Sequence, residues 1–293
     1  MTVDPPVTTG DPAAIPIARD AESLWSHLRS DRRFVLGTVL AALVVGLAVL
    51  GPGLAPHEPG EYVGAPLALP GSGHPLGTDS VGRDVLSLVL RGGWAFLLQG
   101  LVATALGVAG GAVVGMLLGL GGRRARETLS TVNDTVILLP QILVALLVMT
   151  RLGTGPVILT LVVAFAHVFH TSRVVRVATA RVAGEDFVLA ARGSGSGGAR
   201  LVLREVVPNI ANVCLVEFGL RLSASYVLIA SLAYLGFGGS STDWGQMVQE
   251  NQGGLAIQPW AVLAPVACLS VFLVGVNLGR DALARALAVR SSV

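Results

Sequence analysis

The chain alternates between long, uncharged apolar blocks and shorter polar stretches. Each block has at least the roughly 17 residues that an α-helix needs to cross a bilayer. The pattern predicts an all-α membrane protein with six transmembrane helices. They are expected over residues 34–50, 94–120, 131–150, 155–172, 208–237 and 259–278.

The composition supports this interpretation and excludes one class of function. Hydrophobic residues make up 53% of the chain and charged residues only 13%, against about 25% charged residues in a typical soluble domain. All 20 basic residues are arginine, and a P-loop requires a lysine. The chain therefore has no P-loop, and if ATP drives its work, another chain binds the nucleotide.

The placement of arginine predicts the orientation, because cytoplasmic loops of membrane proteins carry an excess of basic residues. With six crossings and an internal N-terminus, sixteen arginines fall in inside segments and three in outside segments. Both termini and the loop between helices four and five are therefore expected in the cytoplasm. The expected organisation is a partly disordered N-terminal tail (1–33), a membrane domain (34–280) and a C-terminal tail (281–293).

A polar, arginine-rich stretch at residues 184–209 separates helices four and five. It contains the pair Ala190-Ala191, with Gly195 four residues further on and Pro208 near its end. This spacing resembles the loop signature of ABC importer permeases, which reads Glu-Ala-Ala, three residues, Gly, nine residues, Ile-x-Leu-Pro. In that family a short helix at this position docks into a cleft on a separate ATPase subunit.

The match keeps the spacing of the signature but not every side chain. The glutamate, isoleucine and leucine positions hold Leu189, Glu205 and Val207. The small alanines allow close packing against a partner, the glycine suits a helix end, and acidic residues suit the helix N-terminus. The residues expected to couple to the ATPase are Glu185, Asp186, Phe187, Leu189, Ala190, Ala191 and Gly195. The alternative is an ordinary amphipathic loop between two membrane helices.

Four further segments, together with REVVPN (204–209) at the end of the loop, resemble the dipeptide, oligopeptide and nickel permease group, and specifically its C-type subunit. They are HPLGTDSVGRDVLS (74–87), DTVILLPQILVAL (134–146), LAYLGFG (232–238) and DWGQM (243–247). The resemblance implies a type I ABC importer permease fold in the inner or plasma membrane of a bacterium. It implies no covalent chemistry and no cofactor in this chain.

The resemblance also implies a set of partners. These are a homologous B-type permease subunit, two ABC ATPase subunits, an extracytoplasmic solute-binding protein and a dipeptide or oligopeptide substrate, all at a lipid bilayer and without nucleic acid. ATP-driven closure of the ATPases would move the coupling helices as rigid bodies. Nickel or another small solute remains an alternative cargo.

Three polar residues in the apolar blocks are candidates for the translocation pathway. Glu217 and Arg221 stand four apart, a spacing that allows an ion pair on one helix face, and Gln141 follows a proline within helix three. Charges at membrane depth usually face a bundle interior or a water-filled cavity. A purely structural ion pair is equally compatible with the spacing.

Two other patterns bear on packing and on rival functions. Gly107, Gly111, Gly115 and Gly119 form a stripe along helix two where another helix can approach closely. Two histidines, at positions 167 and 170, could bind a metal or could simply end helix four at the membrane interface, and no metal site is predicted. The rival functions are an intramembrane hydrolase, which would need a deeper nucleophile and base, and a passive channel, which would need no docking helix.

Overall fold

The structure is a computed structural model that describes residues 28–195, 198–239 and 242–290. Most of the predicted N-terminal tail, up to residue 27, and the last three residues of the C-terminal tail lie outside the described residues. The described chain is built from helices. These are α1 (Arg32–Leu54), α2 (Val85–Leu120), α3 (Arg123–Ile137), α4 (Gln141–Leu152), α5 (Pro156–Val182), α6 (Asp186–Gly193), α7 (Gly198–Leu201), α8 (Val207–Leu232), α9 (Trp244–Asn251) and α10 (Trp260–Arg290).

Short irregular helices extend α8 at both ends. A π-helix over Val202–Val206 precedes α8 and another over Ala233–Phe237 follows it. A 3₁₀ turn, Gln252–Gly254, follows α9. The long segment from Gly198 to Phe237 counts as a single candidate span.

The described residues hold five helices long and apolar enough to cross a membrane, and a sixth span if one bent pair is counted as a single crossing. That pair is the predicted helix three, which is broken and not continuous. Residues 130–137 of α3 and the whole of α4 meet at 90°. The break falls at Pro140, because proline has no N–H and its ring disfavours a continuing helix.

Several helices extend further than their hydropathy indicates. Predicted helix one does not stop at Gly51, since α1 continues through Pro52 to Leu54. The helix predicted to start at residue 94 starts nine residues earlier, at Val85. The Asp84 side chain accepts the Ser87 N–H at 2.9 Å there and caps the N-terminus of α2. Predicted helix four does not stop at residue 172, and α5 runs to Val182.

The glycine stripe of α2 packs against α5, as its spacing predicts. A Cβ atom added at Gly107 would lie 2.7 Å from the carbonyl oxygen of Ala164, and one at Gly115 would lie 2.7 Å from the Cβ atom of Val175. The contact residues advance together along both helices, so α2 and α5 run parallel and nearly touch along the stripe. Close approach of this kind is the usual reason for small residues in membrane helices.

The first and last spans pack in the same manner but antiparallel. A Cβ atom at Gly37 would lie 2.7 Å from the carbonyl oxygen of Gly275. Asp31, the N-cap residue of α1, forms an ion pair with Arg285 at 3.2 Å. The α10 helix continues to Arg290 without a break at residue 280, where the sequence placed the end of the membrane domain.

The helix ends define two ends of the bundle. The end that carries α6, called here the α6 end, also holds the start of α1, the end of α2 and the end of α10. The opposite end holds residues 55–84, which form turns and isolated antiparallel bridges such as Tyr62–Arg83, together with α9.

Candidate functional site

The α6 helix begins and ends as its sequence predicts. Glu185 is its N-cap residue and Asp186 lies in its first turn, where the helix dipole favours negative charge. Gly195 has a φ of 84°, and its N–H donates to the carbonyl of Arg192 at 3.1 Å. The helix therefore ends in a left-handed glycine turn just after Gly193.

One face of α6 is anchored in the protein and the other is exposed. Val188 is fully buried, whereas Phe187 and Leu189 are 44% and 51% exposed. Ala190 is exposed and lies about 200° around the helix axis from Val188, while Ala191 is half-buried. The exposed surface thus combines two large apolar side chains with one small residue. Grouped apolar side chains of this kind on a surface are typical of interaction sites.

A second group of functional candidates forms a buried polar cluster between α4, α5 and α8. Glu217 is 3% exposed, and its Oε1 atom lies 2.8 Å from Nε of Arg221. The third candidate, Gln141, does not touch this pair. Its amide nitrogen lies 3.1 Å from Nδ1 of His170, which interacts electrostatically with both Glu217 and Arg221.

The two histidines lie well inside α5 and not at its end, because α5 continues ten residues beyond position 172. His167 is completely buried and neither of its ring nitrogens has a hydrogen-bond partner. Among the described residues, no group of three or more histidine, cysteine, aspartate or glutamate side chains could hold a metal ion. The cluster therefore offers charge and hydrogen bonding.

Two polar residues that were not singled out in the sequence join α3 to α5. Asn133 donates to the carbonyl of Phe169 at 3.0 Å and accepts from the Ser172 hydroxyl at 2.7 Å. Asp134 lies 3.7 Å from Arg173. Asp134 begins the family-like segment 134–146 and Asn133 directly precedes it, but the sequence does not reveal the partners of either residue.

A cavity of about 1080 Å³ opens between α5, α8 and α10 at the α6 end. Its wall includes Glu217 from the buried cluster and both Glu185 and Phe187 from the start of α6. The cavity therefore connects the two groups of candidate residues.

At the opposite end, ion pairs and hydrogen bonds join the 55–84 segment to α9. Asp79 is fully buried and forms an ion pair with Arg83 at 2.6 Å, and Arg83 forms a second ion pair with Glu250 at 2.9 Å. Burial disfavours the charge of the guanidinium, but hydrogen bonds and charges from the two carboxylates outweigh it and raise the pKa of Arg83. Asn251 also accepts the Ser80 N–H at 2.7 Å. The segment is thus part of a rigid platform.

The apolar spans, the broken helix and the exposed helix between two spans define a membrane-embedded transport component. A family model described as a binding-protein-dependent transport system inner membrane component matches residues 111–289. The match covers more than half of the chain and includes α6 with the spans on either side. The chain belongs to this family.

The chain is also similar to several peptide transport permeases over most of its length. It is 28% identical to the di/tripeptide transport system permease protein DppC of Pseudomonas aeruginosa (strain UCBPP-PA14), covering 91% of each chain. It is 30% identical to the oligopeptide transport system permease protein OppC of Mycobacterium bovis, covering 87% of this chain and 92% of the relative. The OppC protein of Bacillus subtilis (strain 168) is 25% identical over 92% of this chain.

These similarities confirm the group that the four sequence segments indicated. The chain is a C-type permease with the type I ABC importer fold, and a multi-pass inner-membrane protein. It is a transport component and not an enzyme: ATP hydrolysis takes place on partner ATPases, and importers of this family also use a substrate-binding protein. The hydrolase and passive-channel alternatives are therefore wrong.

Proposed function

We propose that this chain forms half of the translocation pathway of a bacterial importer for dipeptides or oligopeptides. The names of the three relatives given above, which are di/tripeptide or oligopeptide permeases matched over nearly the full chain, support this substrate class. None of these three names concerns nickel. The other half of the pathway is a homologous B-type subunit.

The α6 helix is the coupling element of this importer. The observation that carries the assignment is the division of α6 into an anchored face at Val188 and an exposed face at Phe187, Leu189 and Ala190. The anchor transmits movement of the helix to the bundle, and the exposed face fits a cleft on an ATPase subunit. One ATPase docks on this chain and a second docks on the B-type subunit.

The orientation follows from the same assignment. The α6 end and both termini face the cytoplasm, where ATP is available. The opposite end, with the 55–84 segment and α9, then faces outward and receives the solute-binding protein. The ion pairs of Arg83 suit this role, because they hold the outer surface in a fixed shape.

The pathway residues are Glu217, Arg221 and Gln141, and the structure of the buried cluster supports this assignment. Ionisable groups inside a membrane domain are costly and usually serve transport. Glu217 lines the large cavity, and Gln141 reaches the same cluster through His170. Transport of the peptide past these groups is driven by the movement of α6.

The substitution Ala190→Trp tests the coupling role. Ala190 is exposed and faces away from Val188, so a tryptophan there disturbs a docked partner and leaves the interior of this chain intact. Overpacking a tight contact costs about 1–3 kcal/mol. We expect normal membrane insertion and retention of the B-type subunit, but loss of ATPase subunits on purification and loss of peptide uptake.

Ala105→Trp is the matched control, since it places the same side chain on an exposed position of α2 within the membrane span. That variant should retain its ATPases. If Ala190→Trp imports peptide at the normal rate with its ATPases bound, α6 is not the coupling element.

A further inference from the structure

The large cavity at the α6 end contains charges of both signs within otherwise apolar walls. Arg173 and Arg181 contribute from α5, Glu217 contributes from α8 and Glu185 contributes from the start of α6, while most of the remaining wall is aliphatic. Arg181 is exposed, and its guanidinium forms no ion pair or hydrogen bond within the part of the chain that the structure describes. The cavity is therefore suited to a small molecule that itself carries both a positive and a negative charge.

The antiparallel course of α5 and α8 sets the depth of these groups. Glu217 lies ten residues into α8, or about 15 Å from its start at a rise of 1.5 Å per residue. Arg173 lies nine residues before the end of α5, or about 13 Å. The carboxylate and this guanidinium thus lie at similar depth, while Arg181 lies near the mouth.

The Oε1 atom of the Glu217 carboxylate lacks a hydrogen-bond donor in spite of its neighbour. Its Oε1 atom is 2.8 Å from Nε of Arg221, but the contact does not have hydrogen-bond geometry, and both atoms are buried without a hydrogen-bond partner. An ionised carboxylate can accept about four hydrogen bonds. Arg221 therefore balances the charge of Glu217 and leaves its acceptor capacity unused.

The other polar groups of the cluster do not supply the missing donor. His167 forms no hydrogen bond, and His170 contacts the amide of Gln141 and the carbonyl of Ala166. The unused acceptor belongs to a residue on the wall of a cavity large enough for a short peptide. A primary ammonium group is a strong triple donor of opposite charge and fits this position.

We propose that Glu217 binds the terminal ammonium group of the peptide while it occupies this cavity, with Arg181, whose guanidinium has no partner among the described residues, available to its terminal carboxylate. This inference rests on the proposed function of the chain in peptide import. It makes Glu217 a residue that touches substrate, whereas Arg221 positions it. A peptide whose amino terminus is acetylated lacks this contact and should occupy the cavity poorly.

The test is protection of a cavity residue from a thiol reagent. Leu220 lines the cavity and is 37% exposed, so Leu220→Cys, after replacement of Cys214 and Cys268 by alanine, reports occupancy. The sample is the purified complete permease with its ATPases, without nucleotide and without binding protein, so that recognition by the binding protein cannot contribute. The probes are trialanine and N-acetyl-trialanine at equal millimolar concentration.

Trialanine should slow labelling of Leu220→Cys several-fold, and N-acetyl-trialanine should have little effect. Glu217→Gln should remove the difference between the two peptides. Val102→Cys, which lines a separate cavity between α2 and α5, should be labelled at the same rate throughout. The comparison of the two peptides in the chain with Glu217 intact decides the question even if Glu217→Gln does not assemble.

Equal protection by both peptides, no protection by either, or unchanged discrimination in Glu217→Gln would each overturn the inference. Uptake of trialanine by the complete importer in proteoliposomes separates this failure from failure of the proposed function. If trialanine is imported but the labelling pattern is not observed, only the role of Glu217 is wrong. If no peptide is imported, the proposed function itself fails.

Discussion

Replacing Gly111 with alanine tests whether the close approach of α2 and α5 holds the bundle together. A Cβ atom at this position would lie 2.5 Å from the Cβ atom of Thr171 and 2.8 Å from the carbonyl oxygen of Val168. Ordinary van der Waals contact begins near 3.4 Å. Neither atom belongs to a movable side-chain end, so the two helices must separate or shift to accommodate the methyl group.

The neighbouring residue Gly110 provides a matched control on the same helix. A Cβ atom there meets only the Cγ2 atom of Val168, at 3.2 Å. Alanine has about 1 kcal/mol more helix propensity than glycine at either position, so this gain cancels in the comparison. Overpacking then lowers the free energy of unfolding of Gly111→Ala by about 1–3 kcal/mol relative to Gly110→Ala.

The assay is thermal unfolding of the two purified variants in the same detergent, with tryptophan fluorescence as the signal. A difference of 1 kcal/mol corresponds to roughly 2–4 °C in a larger domain, so Gly111→Ala should unfold several degrees below Gly110→Ala. Gly115→Ala should behave like Gly111→Ala, because its Cβ atom would lie 2.7 Å from that of Val175. Equal midpoints for Gly110→Ala and Gly111→Ala would refute the packing argument.

Two further predictions concern the ion pair and the orientation. Glu217→Gln strands the buried charge of Arg221, and breaking a buried pair costs about 3–5 kcal/mol, so the single change should reduce assembly more than the double change to glutamine at both positions. Equal and additive losses would show that the pair is not coupled. For orientation, Gly60→Cys and Gly193→Cys are each made in a variant that lacks the two native cysteines. A maleimide that cannot cross membranes should label Gly60→Cys in intact cells, and should label Gly193→Cys only after permeabilisation. Labelling of Gly193→Cys from outside would reverse the proposed topology.

Much of the fold could be predicted because hydropathy is a local property. Five of the apolar blocks became spans, and the stripe from Gly107 to Gly119 packs against a helix as its spacing indicates. The ends of α6 could also be predicted, since an acidic N-terminus and a glycine such as Gly195 act within a single turn. These features need no knowledge of distant residues.

The helix ends were harder to predict, because hydropathy marks the width of the membrane and not the length of a helix. Predicted helix four stopped at residue 172 because Arg173 and Arg176 follow, yet α5 continues to Val182 in the same helical geometry. The break at Pro140 was visible as a proline, but its 90° angle was not. Such angles depend on the helices that pack on either side.

The sequence by itself determined that this is a membrane permease of the ABC importer class without its own ATP site, and it marked the exposed loop with α6. Only the tertiary structure decided which polar residues meet. It brought Gln141 to His170, 29 positions away, and placed Glu217 on the wall of a cavity formed with α5 and α10. It also fastened Arg83 to Glu250 across 167 positions. The physical reason is that spans, caps and turns arise from interactions within a few residues, whereas burial, charge pairing and cavities depend on how separate helices pack.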